Sequence, residues 1–127
     1  DYNRVNLIMA VLEKRAGLNL WGYDAYVSVA GGMRINDPAI DLGIACAISS
    51  GFKNRPIGDD VMIIGEIGLA GEIRGVSNVF QRVKEADKMG FKKCVIPRSN
   101  YDKAMDSLDV KVECVATLQE AISKVIQ

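Results

Sequence analysis

From Val61 to the end of the chain, short β-rich runs take turns with stretches of helical periodicity, and this alternation constrains the fold more than any other feature. Strands are expected at Val61 to Glu66, Lys93 to Ile96 (stopped by Pro97) and Val110 to Val115. Between and after them lie helical stretches: Asn78 to Gly90, a weaker one from about Asn100 to Asp106, and a last one opened by Thr117. Strands joined through helices pair in parallel, because a crossover is needed to return to the same edge. The glycine-punctuated GEIGLAGEIRG, Gly65 to Gly75, instead reads as a short antiparallel hairpin around Leu69-Ala70-Gly71. The expected fold class is therefore α/β, in the α+β sense of a mixed sheet.

Caps sharpen these boundaries. Asn78 with Gln81 three residues on, and Thr117-Leu118-Gln119-Glu120, both follow the capping-box pattern, and Gly90 is a natural helix stop. In the first half, Val5, Ile8, Met9, Val11 and Leu12 recur at helical spacing from Asn3 to Ala16, with Gly17 after them. Ala25 to Ala30 reads as a strand ending at Gly31-Gly32. Asp37-Pro38 pairs an N-cap with proline at the first helical position, opening an apolar helix to about Ser50. Phe52 to Asp60 reads as a loop.

A chain of 127 residues with 49 % apolar content fits one domain with one continuous core. Sixteen basic residues balance sixteen acidic ones, so any charge-driven binding must use a local patch. The longest apolar runs, such as Ile44 to Ile48, are far short of the roughly 18 residues that cross a bilayer. Cys46, Cys94 and Cys114 sit singly in apolar segments and read as reduced core residues of an intracellular, cytoplasmic protein. There is no histidine, which removes Ser-His-Asp and Cys-His catalysis and imidazole metal sites together. The opening at Asp1, without Met or a leader, reads as a domain taken from a larger protein.

Phosphate-binding glycine motifs are missing: neither G-x-x-x-x-G-K-[ST] nor G-x-G-x-x-G occurs. Among the carboxylates, Asp37 is expected to cap, Asp41 to sit favourably in a first helical turn, and Asp59-Asp60 to belong to a loop, while Glu66 has no evident assignment. Ser49 or Ser50 with Lys53 is the remaining hydrolytic pairing to weigh.

The order of segments carries a specific resemblance. A strand, Gly31-Gly32, Asp-Pro opening a small-residue helix, GEIGLAGEIRG, a helix and then GFKKCVIP resembles the proteolytic domain of Lon from about Asp24 to Gln127. That resemblance implies a Lon-like fold of the ribosomal protein S5 domain 2 type. Alignment through Pro38 puts Ala39 where the Lon nucleophilic serine belongs, and alignment through Gly71 puts Phe80 where the lysine belongs. A methyl and a phenyl ring neither attack a carbonyl nor take a proton, so the resemblance implies a pseudo-protease with no catalytic residues. Ser49 and Ser50 lie roughly three helical turns from that position, about 15 Å at 1.5 Å per residue.

Within that superfamily, DYNRVNLIMAVLEKRAG, GGMRINDPAIDLGIACAISS, RPIG, GEIGLAGEIRGV and GFKKCVIPRSN resemble the C-terminal domain of the RadA (Sms) family of bacterial DNA repair proteins. This likeness implies one Lon-protease-like domain over residues 1–127, with residues 1–20 as a helix leading from an upstream ATPase domain. It further implies a homo-hexameric motor that binds single- or double-stranded DNA through its backbone during branch migration, with a RecA-type recombinase as a further partner. ATP, Mg and Zn would belong to upstream modules, and this domain would hold no cofactor or metal and touch no membrane.

Two roles fit an emptied domain, beside the alternative of an active Ser-Lys peptidase. The first is DNA contact: Gly71 to Asn100 holds seven basic residues (Arg74, Arg82, Lys84, Lys88, Lys92, Lys93, Arg98) against Glu72, Glu85 and Asp87. Arg34, Lys53, Arg55, Arg74, Arg82, Lys84 and Lys88 are the candidates for phosphate contact. No aromatic interleaving in that stretch points to base stacking, so binding is expected to be salt-sensitive and sequence-tolerant. The second role is a structural scaffold for oligomerisation.

Overall fold

The structure, a computed structural model, describes residues 2–25 and 37–126. Of the strand expected over Ala25–Ala30, residues 26–30 lie outside the described residues, as do Gly31-Gly32 and Arg34.

Helix α1 spans Tyr2–Arg15, and α2 spans Asp41–Lys53 after a 3-10 turn at Pro38–Ile40. Asp37 accepts a hydrogen bond from the Ala39 amide at 3.0 Å, as an N-cap should. The end of α2 differs from expectation. Asn54 adopts the left-handed conformation (φ 54°, ψ 43°) and its amide closes onto Ser50 and Gly51 carbonyls, so the helix runs through Gly51 to Lys53 before the loop begins.

Strands β1 (Val61–Ile63), β4 (Lys93–Pro97) and β5 (Lys111–Val115) form a parallel sheet in the order β1-β4-β5, pairing Val61 with Lys93 and Lys93 with Lys111. Strands β2 (Glu66–Ile67) and β3 (Ile73–Arg74) form the expected antiparallel hairpin. The expected single strand from Val61 to Glu66 is thus split between two sheets, and Gly65 is where it breaks. Its carbonyl accepts from the Leu42 amide at 3.0 Å and its amide donates to the Ala39 carbonyl at 2.9 Å. A Cβ on Gly65 would come within 2.9 Å of Ile73 Cγ2 and 3.2 Å of Leu42 Cδ2. Only glycine lets the strand leave the sheet and pass this close to the start of α2.

Helix α3 (Val79–Lys88) lies in the crossover leading to β4, and helix α4 (Leu118–Val125) follows β5 and packs back on the sheet. Asn78 corrects one expectation: it is left-handed (φ 60°) and its side chain makes no cap bond. The approach to α3 is held from outside instead, because Asn100 Oδ1 accepts from the Val76 amide and Asn100 Nδ2 donates to the Val76 carbonyl, both at 2.9 Å. Thr117 does cap α4, accepting from the Glu120 amide at 3.1 Å, while Glu120 reaches back to the Ala116 amide at 2.7 Å, one residue earlier than the usual box. The weak helix expected at 100–106 resolves into 3-10 turns at Arg98–Asn100 and Lys103–Ser107.

Side chains alternate across the parallel sheet and divide the core in two. Val61, Ile63, Val95 and Val115 face a cluster with Leu12, Leu42, Cys46 and Leu118 from α1, α2 and α4. Met62, Cys94, Ile96, Val112 and Cys114 face a second cluster with Val79, Val83 and Ala86 from α3 and Met105. Such alternation follows from the period-2 geometry of a strand. The three cysteines are free thiols; Cys46 and Cys94 are buried, and burial pushes their pKa values up to about 12 and about 11. Among the described residues no helix is long and apolar enough to cross a membrane.

Candidate functional site

The two segments that carry the Lon resemblance meet in space. Ala39 occupies the 3-10 turn before α2 and is 2 % exposed, and Phe80 is the second residue of α3, half-buried against the second cluster. The Arg82 guanidinium joins them, its Nη2 lying 3.3 Å from Asp37 Oδ2. Asp37 is held below the usual carboxylate range, first by the Ala39 amide and then by Arg82. One turn beyond Phe80, the Lys84 ammonium lies 5.2 Å from the Phe80 ring centroid, a cation–π contact.

Just behind this turn is an ion pair that the sequence does not announce. Arg4 of α1 grips Asp41 with both ends of its guanidinium, Nε to Oδ1 and Nη2 to Oδ2, the latter at 2.9 Å. Asp41 Oδ2 also accepts from the Ile67 amide at 3.3 Å, so one buried carboxylate ties α1, α2 and the hairpin together. The hydrogen bond to Asp41 raises the Arg4 pKa above its ordinary value, and the charges of Glu66 and Asp37 act in the same direction. Glu66, unassigned in the sequence, thus belongs to the surroundings of Arg4 and is the cross-strand partner of Arg74. No group of three potential metal ligands occurs among the described residues.

The alternative serines are occupied elsewhere. Ser49 Oγ is buried and donates to the Ala45 carbonyl at 2.8 Å, the usual back-bond of a mid-helix serine. Ser50 Oγ donates to the Arg55 carbonyl, and Lys53 is exposed at the end of α2.

The phosphate-contact candidates are dispersed. Arg34 lies outside the described residues. Arg74 pairs with Glu72 at 3.2 Å and Arg82 with Asp37, so both are partly neutralised by neighbours. Lys84 and Lys88 share one ridge of α3 at the i,i+4 spacing. Lys53 and Arg55 sit at the end of α2, in the layer on the opposite face of the parallel sheet from α3. The structure therefore separates them into two groups. A further basic group was missed in the sequence: Lys93, Lys111 and Lys124 surround the single carboxylate of Glu113 at 3.9, 3.5 and 3.8 Å. Residues 93, 111 and 113 meet by strand pairing and Lys124 by the return of α4, so no local pattern marks the group.

The architecture places the chain in the class of mixed α/β domains with a parallel three-stranded sheet and a β-hairpin set against the first turn of a buried helix. Residues 8–100 match the family model described as Subunit ChlI of Mg-chelatase. Over 122 residues, 96 % of this chain, it is 51 % identical to the DNA repair protein RadA of Halalkalibacterium halodurans. It is 47 % identical over 126 residues to that of Listeria monocytogenes and 50 % identical over 122 residues to that of Bacillus subtilis. The chain belongs to the family of DNA repair proteins named RadA, and it spans 27 % or 28 % of the length of these three relatives.

Proposed function

We propose that the chain is a non-proteolytic accessory domain of a DNA repair ATPase, with a Lon-like fold, contributing to ring assembly and sequence-independent DNA contact during branch migration. The observation that carries the first part is the pairing of positions 39 and 80. A buried methyl stands in the 3-10 turn and a phenyl ring opens α3. Their segments are pinned by the Asp37–Arg82 pair. A Ser-Lys hydrolase needs an alcohol and an amine of lowered pKa at such positions. The names of the relatives support the DNA side of the reading.

In this reading residues 1–127 are one domain, α1 is the segment leading from the motor, and ATP, Mg and Zn serve upstream modules. The working protein is a cytoplasmic homo-hexamer with DNA, and a RecA-type recombinase, as partners. Incubation with unfolded casein and a fluorophosphonate is expected to give neither cleavage nor labelling; labelling of any serine refutes the pseudo-protease. Titration of duplex DNA at two salt concentrations is expected to show affinity falling steeply with salt, by about 0.9 log units per phosphate contact for each log unit of salt. Salt-independent affinity refutes backbone contact.

A scaffold role without DNA contact is the second reading, favoured by the pairing of Arg74 with Glu72 and Arg82 with Asp37. A closed ring needs two different complementary patches on each subunit. Sedimentation of this chain separates the readings, since a scaffold assembles without ATP while showing no affinity for DNA.

A further inference from the structure

Of the four exposed aromatic side chains on the described surface, three lie on two segments that touch. Trp21 is 85 % exposed and Tyr23 63 %, both in the loop after α1, and Phe52, in the last turn of α2, is 37 % exposed. Tyr23 and Phe52 pack edge to face, with centroids 5.4 Å apart and planes at 83°. An edge-to-face pair leaves ring faces uncovered while holding both rings in place. Exposing two packed aromatic rings and a third two residues along the chain costs hydration free energy that burial would have recovered, so a ligand for these faces is the physical expectation.

The chemistry of that ligand follows from the neighbours. Lys53 directly follows Phe52, is exposed, and makes no ion pair among the described residues; Arg55 lies two residues on, past the left-handed turn at Asn54. The other exposed large apolar residues, Leu7, Leu69, Met89 and Tyr101, belong to other elements. Protein interfaces are enriched in aromatic residues, methionine and arginine but depleted in lysine. Here aromatic rings share a stretch of chain with the cationic residues Lys53 and Arg55, the combination that holds an unpaired strand by stacking its bases and tracking its phosphates.

We infer that Trp21, Tyr23 and Phe52, with Lys53 beside them, form a base-stacking platform for single-stranded nucleic acid. This rests on the DNA-contact reading and extends it, since phosphate contact alone does not distinguish a strand with bases from one without. The sequence hides the platform because its two halves lie some thirty residues apart and outside the basic stretch of 71–100.

Trp21 is the only tryptophan, so its fluorescence reports the site directly. The chain is titrated with oligothymidylate of about 15 nucleotides, within the site sizes of such platforms, and with an abasic oligomer and a duplex of equal length. Oligothymidylate is expected to quench Trp21 and to bind between about fivefold and about a hundredfold more tightly than the abasic strand, the range set by stacking of one or a few bases. The double variant Trp21→Ala, Tyr23→Ala, at exposed positions and without tryptophan, is read by the anisotropy of end-labelled oligomers and is expected to lose that preference with far-ultraviolet circular dichroism unchanged. Lys53→Glu, at an exposed position beside Phe52 in the chain, is expected to weaken the oligothymidylate and the abasic strand alike. Equal affinity for both strands in the unmodified chain overturns the platform and leaves phosphate contact standing. Absence of binding to all three overturns both. A double variant that alters sedimentation but not oligonucleotide preference overturns the platform in favour of a contact between copies.

Discussion

Cys46 is 0 % exposed in the larger apolar cluster, and its thiol is pushed from the ordinary 9.0 up to about 12 by burial. A raised folded-state pKa means stability that is complete below the unfolded value and declines as pH rises towards the folded one. Between pH 9 and 12 the unfolded chain gains a thiolate that the folded chain refuses, at roughly 1.4 kcal/mol per pH unit. Urea midpoints measured from pH 8 to 11 are expected to fall along this limb, to which Cys94 adds up to about pH 11, and Cys46→Ala, although less stable at pH 8, to make it shallower. Asp41 gives the second prediction at this scale. Asp41→Asn keeps an acceptor for the Ile67 amide but leaves the Arg4 guanidinium unmatched, costing about 2 kcal/mol. A double-mutant cycle with Arg4→Met is expected to return a coupling of about 1–3 kcal/mol. The core role of Cys46 was readable from its apolar neighbours, whereas the Arg4–Asp41 pair joins residues 37 apart on two helices and has no local signature.

Elements were legible where one segment carries its own cause. α1, α3, α4 and the strands at 93–97 and 111–115 lie within a residue or two of their expected bounds, because periodicity and end signals are local. The misreadings occur where a distant partner decides. Gly65 breaks the first strand because Leu42 and Ile73 crowd it, and α3 starts without an Asn78 cap because Asn100 holds Val76 from 24 residues away. Asn100→Ala removes both bonds to Val76 and is expected to destabilise the chain by about 1–3 kcal/mol, read by urea unfolding. Faster amide exchange at the start of α3 than in α4 is expected to accompany it. Thr117→Ala, losing the cap on α4, is expected to cost about 1 kcal/mol in the same assay.

At the scale of the whole molecule, the mixed α/β class and its parallel half followed from the alternation of segments, while the gathering of charges and rings did not. Seven basic residues between Gly71 and Asn100, with Lys53 before them, looked like one patch in the sequence, yet Arg74 and Arg82 are matched by carboxylates and Lys53 stands on the other side of the sheet. Linear charge density is a poor guide where the chain crosses a sheet between one basic residue and the next. The middle strand β4 has the opposite lesson, since Cys94 and Ile96 point one way and Val95 the other. One wall therefore serves two oily rooms, and shifting it by a single residue would turn the furnishings of each into the other. Neither room can be emptied while its neighbour stays furnished, so calorimetry should record a single melting event whose van't Hoff and calorimetric enthalpies agree.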